Sequence, residues 1–264
     1  MPPSLKTLLD FANETAYLAG KITLRHYQAN ISVEIKMDGT VVTIADQESE
    51  KLIRTRIEHY FPDHAILGEE YGEKQFPDAK YRWIIDPIDG TQSFIRGVPL
   101  YAVLIGLEID AQVVVGVAHF PALGETISAA SGEGCYWNNI KAHVSDIDTL
   151  SESLVLCNDP EAMYANGYGD AWDRIKRTCK VRRGWGDAYG YLLAATGRAE
   201  LMLDPQMNIW DCGPFPPIFQ EAGGYFGDWK GEKGIYGGEA LGTSEKLLPE
   251  VMGIVNQQGG SKEN

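Results

Sequence analysis

Cysteine is scarce: Cys135, Cys157, Cys179 and Cys212 are the only four in 264 residues, and no two form a C-x-x-C pair. That spacing excludes a disulfide framework and a thiolate zinc site, and reads as reduced thiols in a cytoplasm. Histidine is equally thin. His26, His59, His64, His119 and His143 show no ligand spacing and read as structural or surface groups. Positive charge is in deficit, with 23 Lys+Arg against 37 Asp+Glu, a net charge of −14 and a pI of about 4.8. A field of that sign repels phosphate backbones, so no nucleic-acid partner is expected, and an anionic ligand would need local cationic help. Uncharged stretches such as Val98 to Leu107 fall far short of the ~20 residues that cross a bilayer. Met1-Pro2-Pro3-Ser4-Leu5 lacks the basic-then-apolar layout of a secretory signal. No membrane partner and a cytoplasmic location are therefore expected. Internal repeats, a nucleophile elbow, a phosphate-binding P-loop and a dinucleotide fingerprint are absent as well.

What is present is ordinary globular composition, 44% hydrophobic and 23% charged, at a length that hides roughly 70–75% of the unfolded surface. Ser4 can cap a first helix in which Leu5, Leu8, Leu9, Ala12, Ala16, Ala19 and Leu24 recur at helical spacing. Val33 to Lys36 and Val41 to Thr43 flank the turn signature Met37-Asp38-Gly39-Thr40, predicting a hairpin. A second helix is predicted after Asp46, with Leu52, Ile53, Ile57 and Tyr60 on one face and Pro62 at its end. Tyr81 to Ile85 reads as a buried strand, and Ala102 to Glu108 with Gln112 to His119 as an antiparallel pair. Beyond residue 150 short strands (Leu154 to Cys157, Val181-Arg182, Leu201 to Leu203) alternate with helical stretches, the rhythm of an α/β layer. The expectation is an α+β subdomain over residues 1–150, an α/β subdomain over 151–258 and a frayed tail over 259–264. No flexible linker separates the subdomains, so they should act as one unit with a site at their junction.

Acidic residues supply the chemistry. In Trp83-Ile84-Ile85-Asp86-Pro87-Ile88-Asp89-Gly90-Thr91 an apolar strand delivers Asp86 at its end, Pro87 forbids simple continuation in the sheet, and Asp89 follows three residues on. Two carboxylates with the Ile88 carbonyl between them suit a hard cation such as Mg²⁺. Thr91 could open a helix whose N–H groups face an anion. The alternative is a polar turn with Asp89 as a helix cap. Gly68-Glu69-Glu70 places adjacent acids behind the apolar Ala65-Ile66-Leu67, although such pairs commonly decorate a solvated surface. Asp211 and Asp46 stand where helices begin and read either as caps or as further carboxylates of the same site. Pro214, Pro216 and Pro217 should distort the helix start after Asp211.

Together these residues resemble the inositol monophosphatase-like superfamily of metal-dependent phosphatases. Its signatures stand here as Asp86-Pro87-Ile88-Asp89-Gly90-Thr91 and as Trp210-Asp211 through Glu221-Ala222-Gly223-Gly224, with Thr43-Ile44-Ala45-Asp46 and Gly68-Glu69-Glu70 upstream in the expected order. The resemblance spans almost the whole chain. It implies the layered αβαβα sandwich of the inositol monophosphatase and fructose-1,6-bisphosphatase type, and a homodimer. Glu69, Asp86, Asp89, Asp211 and the Ile88 carbonyl would hold two or three Mg²⁺, with Mn²⁺ an acceptable substitute. Glu69 and Thr91 would polarise the attacking water, with Asp46 behind Thr91, and the Gly90 and Thr91 N–H groups would bind phosphate. Borrowed cations would reconcile an acidic protein with an anionic ester. The departure is Gly213-Pro214, where the family usually carries two alanines.

Within the superfamily, inositol enzymes typically carry a small-residue G-[ST]-A-A run where this chain has Gly186-Asp187-Ala188-Tyr189. The wording Trp185-Gly186-Asp187-Ala188-Tyr189-Gly190-Tyr191, like Asp204-Pro205-Gln206-Met207-Asn208, resembles the histidinol-phosphate phosphatase branch. Histidinol phosphate carries an ammonium and an imidazole, which need anionic or accepting partners. Asp187 and Asp204 are expected to bind that cationic end, with Asn208 and Asp211 completing the substrate contacts; alternatively Asp187 caps the helix beginning near Ala188. The leading expectation is a Mg²⁺-dependent phosphomonoesterase acting on L-histidinol phosphate in histidine biosynthesis. An inositol-1-phosphate or broad sugar-phosphate phosphatase comes second, and a silent metal- or phosphate-binding regulator is the non-enzyme alternative.

Overall fold

The computed structural model describes residues 2–36, 39–77 and 79–256; the expected frayed tail lies outside them. Ser4 opens α1 (Leu5–His26), its hydroxyl accepting from the Thr7 N–H at 3.1 Å. Leu8, Ala12, Ala16 and Ala19 are buried along one face, and Thr23 takes the next inward position, which leaves Leu24 a quarter-turn round and exposed. The hairpin forms as β1 (Val33–Ile35) against β2 (Val41–Thr43). The second helix, α2 (Ile44–Tyr60), starts two residues before Asp46 and not after it. Thr43 is its N-cap and Asp46 sits at the third helical position of a reciprocal capping box, the arrangement that T-x-x-D favours. Ile53 and Ile57 are buried, but Tyr60 is exposed.

Next come β3 (Ala65–Gly68), β4 (Gly72–Lys74), β5 (Tyr81–Asp89), the short α3 (Thr91–Ile95), β6 (Ala102–Ile109), β7 (Gln112–Phe120), β8 (Glu125–Ala130), β9 (Gly134–Trp137) and β10 (Ile140–Lys141). They build an eight-stranded sheet in the order β10-β9-β8-β7-β6-β5-β3-β4, antiparallel except where β3 runs parallel to β5. Contrary to the expected stop at Ile85, β5 continues through Pro87 to Asp89. A register shift between the Asp86–Leu104 and Asp89–Ala102 pairs absorbs the proline at a bulge, where its missing N–H breaks no ladder bond.

The second half holds β11 (Leu154–Cys157), α4 (Pro160–Ala165), α5 (Gly169–Thr178), β12 (Val181–Arg183), α6 (Asp187–Ala195), β13 (Leu201–Asp204), α7 (Ile209–Cys212), α8 (Phe215–Glu221), β14 (Gly224–Gly227), β15 (Ala240–Ser244) and α9 (Leu248–Val255). Its five strands run in the order β12-β11-β13-β15-β14, with β11 parallel to both its neighbours.

Strand alternation sorts most of the buried apolar residues into three interiors, beside a small fourth cluster of Ala45, Ile88, Phe94 and Tyr101. Trp83, Ile85, Val103, Ile105, Val115 and Val117 face α1 and α2. Ile84, Leu104, Ala118 and Phe120 face the other way, onto Tyr191, Phe215 and Phe219 of α6 and α8, where the second sheet adds Leu156, Met202 and Phe226. Val155, Leu201 and Leu203 then meet Trp172 and Ile175 of α5 and Val251 of α9. The layers are therefore helix, sheet, helix, sheet, helix. All four cysteines are buried and unpaired; burial pushes the Cys135 and Cys157 thiols up to about 12 and holds the Cys212 thiol well above its ordinary range. Among the described residues no helix is long and apolar enough to cross a membrane.

The middle layer explains the Gly213-Pro214 departure. Gly213 and Pro214 keep right-handed helical dihedrals between α7 and α8, so the path continues although the helix is interrupted. Their backbone lies directly on the big sheet. A Cβ at Gly106 would stand 2.5 Å from the Gly213 carbonyl oxygen, and one at Gly116 only 1.9 Å from that of Pro214. Gly116→Ala should therefore lower the melting temperature, at a cost of about 1–3 kcal/mol or more from overpacking. Gly253→Ala in α9, with nothing within 4 Å, should leave stability unchanged or raise it by up to ~1 kcal/mol. Thermal unfolding of both variants beside the parent checks the close approach.

Candidate active site

Strands that run parallel leave their carboxyl ends side by side, and both parallel groups end at one cleft. From the large sheet, β3 delivers Glu69 and β5 delivers Asp86, Ile88 and Asp89. From the small sheet, Asn158 follows β11, Asp187 follows β12, Asp204 ends β13 and Gln206 lies just beyond it. Gly90, Thr91, Met207 and Asp211 complete a cavity of about 150 Å³, the scale of a small ligand. Gln206 and Met207 stood only inside the Asp204-to-Asn208 motif, and Asn158 was not singled out at all; the rule that ligands lie beyond the carboxyl ends of parallel strands is the signal that could have found it.

Asp86, Asp89 and Asp211 each place a carboxylate oxygen within 4.8 Å of the others. Each is held by backbone N–H groups: Asp86 accepts from Ile88 at 3.0 Å, Asp89 from Ala188 at 2.7 Å and Asp211 from Asn208 at 2.8 Å. Asp89 thus ties the end of β5 to the start of α6. Glu69 lines the same cleft, but its Oε1 accepts from the Lys36 ammonium at 3.1 Å, and the same nitrogen donates to Glu70 at 2.8 Å. Lys36 carries no motif and was not anticipated.

Other expected residues fall differently. No hydrogen bond joins Asp46 to Thr91. Its Oδ2 accepts from the Thr43 N–H at 2.8 Å and hydroxyl at 2.6 Å, and its buried Oδ1 has no partner. The Thr91 hydroxyl instead donates to the Ile88 carbonyl at 3.1 Å. Each hydrogen bond is made to a residue three positions earlier in the chain, and Asp46 keeps one oxygen unpartnered. Asn208 is not on the cleft wall either, because its N–H and side-chain amide both serve the Asp211 carboxylate at the start of α7. Asp187 does line the cleft and does not cap its helix. It adopts a left-handed backbone (φ +52°) and accepts from the Asn158 amide at 2.7 Å. Asp204 is 4% exposed and its Oδ2 has no hydrogen-bond partner. Gly90 is left-handed too (φ +80°), and a Cβ there would stand 3.0 Å from the Asp187 carboxylate.

Burial is the largest cause pushing these acids up. Asp86 and Asp89 lie well above the ordinary carboxylate range, from burial first and then from Glu69, Asp89 and Asp211 around Asp86, and from Asp187 and Asp211 around Asp89. Asp187, Asp204 and Asp211 are raised by burial as well. Two unit charges 4.8 Å apart repel by about 3–4 kcal/mol at an effective dielectric constant of ~20. A divalent cation would relieve that repulsion, and three all-oxygen donors are the set that hard cations take. The residues present fit a metal.

Electrostatics sets the pH dependence. Burial raises Asp46 to about 6, so between the unfolded value of 3.8 and about 6 the folded state holds more protons than the unfolded chain. Stability from this group is present below that interval and is lost as pH rises through it. In EDTA, the stability difference between the parent and Asp46→Asn should shift against the parent by about 2 kcal/mol from pH 4 to pH 7. Adding a divalent cation at pH 7 should raise the parent's melting temperature. Calorimetric melts with and without the cation check both signs.

The inositol monophosphatase family model matches residues 4–263. A histidinol-phosphatase of Chlorobaculum parvum is 42% identical, covering 94% of each chain. An inositol-1-monophosphatase of Mesorhizobium japonicum is 30% identical over 93% of this chain and 94% of its own. Among solved structures, extragenic suppressor protein suhB of Bartonella henselae superimposes with a TM-score of 0.89 at 25% identity, over 96% of this chain and all of that one. The Thermotoga maritima IMPase does so at 0.84 and 28%, over 95% of this chain and 97% of that one. The layered fold expected from the motifs is borne out. With the match running almost end to end and the ordered motifs converging on one cleft, the chain belongs to the inositol monophosphatase family.

Proposed function

We propose that the protein is a Mg²⁺-dependent phosphomonoesterase that hydrolyses L-histidinol phosphate to L-histidinol and phosphate, a step of histidine biosynthesis. The observation that carries this reading is the acidic wall facing the carboxylate cluster: Asp187 and Asp204 line the cleft that Asp86, Asp89 and Asp211 share. A cationic leaving group suits that wall better than a polyol does. The 42% identity to a relative named histidinol-phosphatase supports the same choice over the relative named for inositol phosphate, at 30%.

Glu69, Asp86, Asp89, Asp211 and the Ile88 carbonyl are the residues to hold two or three Mg²⁺, or Mn²⁺ in their place. When bound, the ions offset the carboxylate charge, attract the phosphate and acidify a water. The chain's own groups do the rest. Gly90 and Thr91 present backbone N–H groups to phosphate oxygens where β5 hands over to α3. Thr91, its hydroxyl fixed on the Ile88 carbonyl, and Glu69 orient the attacking water, and direct attack needs no covalent enzyme intermediate. Asp187, oriented by Asn158, receives the ammonium or imidazole.

Residues 1–150 and 151–258 act as one unit in this reading, which the Asp89–Ala188 bond supports. Four buried, unpaired thiols suit a reducing cytoplasm, and a homodimer is the assembly that the resemblance implies.

Phosphate release from L-histidinol phosphate and from myo-inositol 1-phosphate, with Mg²⁺ and with EDTA, tests the assignment. The expected result is activity abolished by EDTA and a preference of ~100-fold in kcat/KM for histidinol phosphate, about 2.7 kcal/mol. Asp187→Asn should raise KM for histidinol phosphate by ~10-fold or more and leave that for inositol phosphate unchanged. Equal rates on both esters would overturn the substrate assignment.

A further inference from the structure

Glu50 is a mid-helix acid on α2 that the site as described does not use, yet its side chain is fully buried. A buried carboxylate is costly unless every lone pair is engaged, and here the partners are specific. Its Oε2 accepts from the Glu70 N–H at 2.8 Å, and its Oε1 accepts from the Tyr71 N–H at 3.2 Å and from Arg54 Nε at 2.7 Å. Arg54, one helical turn on, also donates to the Gly72 carbonyl. The pair therefore grips three consecutive residues, 70 to 72, directly after Glu69. From the other side the Glu69 N–H donates to the Ile85 carbonyl at 3.2 Å. Gly68 makes room for the grip: a Cβ there would lie 2.1 Å from Glu50 Oε1 and 2.8 Å from the Arg54 guanidinium.

We infer that Glu50, braced by Arg54, is a positioning residue that fixes the backbone carrying Glu69, so that this carboxylate meets its cation without first ordering a loop. The inference rests on the reading that Glu69 helps hold the metal. Residues that orient a ligand from behind typically change metal affinity 10–100-fold when altered. A role confined to stability would lower the melting temperature and leave the affinity of the folded protein alone.

The test is Mn²⁺ binding to the metal-free full chain, by calorimetric titration, for the parent, Glu69→Gln, Glu50→Gln and Arg54→Lys, each first shown to be folded by circular dichroism. The Glu50→Gln amide would turn an N–H group toward the Glu70 N–H, whereas Arg54→Lys keeps the charge and gives up the reach to Gly72. Both should bind Mn²⁺ ~10-fold or more weakly than the parent, with kcat at limiting metal falling and KM at saturating metal nearly unchanged. Where Glu50→Gln does not fold, Arg54→Lys decides alone. Parent-like affinity in a folded Glu50→Gln or Arg54→Lys protein, beside a weakened Glu69→Gln, overturns the positioning role. Unchanged affinity in Glu69→Gln, or no binding by the parent, overturns the metal reading beneath it.

Discussion

Carboxylates crowded into a space of a few ångströms, with little water to screen them, repel one another. Much of this molecule is explained by the means that hold them there. Asp86, Asp89 and Asp211 sit within 4.8 Å of one another, and each is fixed by a backbone N–H group. Neutral donors lower the charge density at the oxygens without supplying a counter-charge. The arrangement is therefore rigid and still short of positive charge, which is the condition in which a divalent cation is recruited and an anionic ligand can follow it.

Rigidity on that scale draws on both sheets. Parallel strand ends bring Glu69 and Asp86 together from one side, and Asn158, Asp187 and Asp204 from the other. The α7–α8 segment lies between the sheets and carries Asp211. It can sit so low on the large sheet because β6 and β7 are bare at Gly106 and Gly116. A side chain at either strand position would lift the Gly213-Pro214 backbone and with it the helix turn that holds Asp211, so packing far from any ligand sets the spacing of the carboxylates.

Local chemistry was legible in the sequence and long-range placement was not. The hydrophobic run into Asp86, the turn residues between β1 and β2 and the capping Ser4 declare themselves within a few residues. The motifs located Asp86, Asp89 and Asp211, and the structure brings the three together. The run of β5 past Pro87 was hidden because proline ordinarily ends a strand, and only the bulge against β6 admits it. Asp46 read as the residue before a helix because an acid at a helix start suits either the cap or the first turn; Thr43, three residues earlier, decides. Lys36, Asn158 and Glu50 left no local mark. A lysine after a strand, an asparagine in a loop and a glutamate in mid-helix are ordinary until the fold lays them beside Glu69, Asp187 and the Glu70 backbone.

The cysteines, silent in the chemistry, turn out to be well distributed. Cys135 lies in β9 of the large sheet, Cys157 at the end of β11 in the small one, Cys179 just after α5 in the outer layer and Cys212 beside Asp211 in the middle layer. None is accessible while its layer is closed, and for Cys135, Cys157 and Cys212 burial withholds the thiolate as well. An alkylating reagent consequently meets each sulfur only when that part of the protein opens. The four thiols are built-in clocks in four of the five layers, and their separate rates of modification would chart which of these opens first and how strongly a ligand in the cleft holds the others shut.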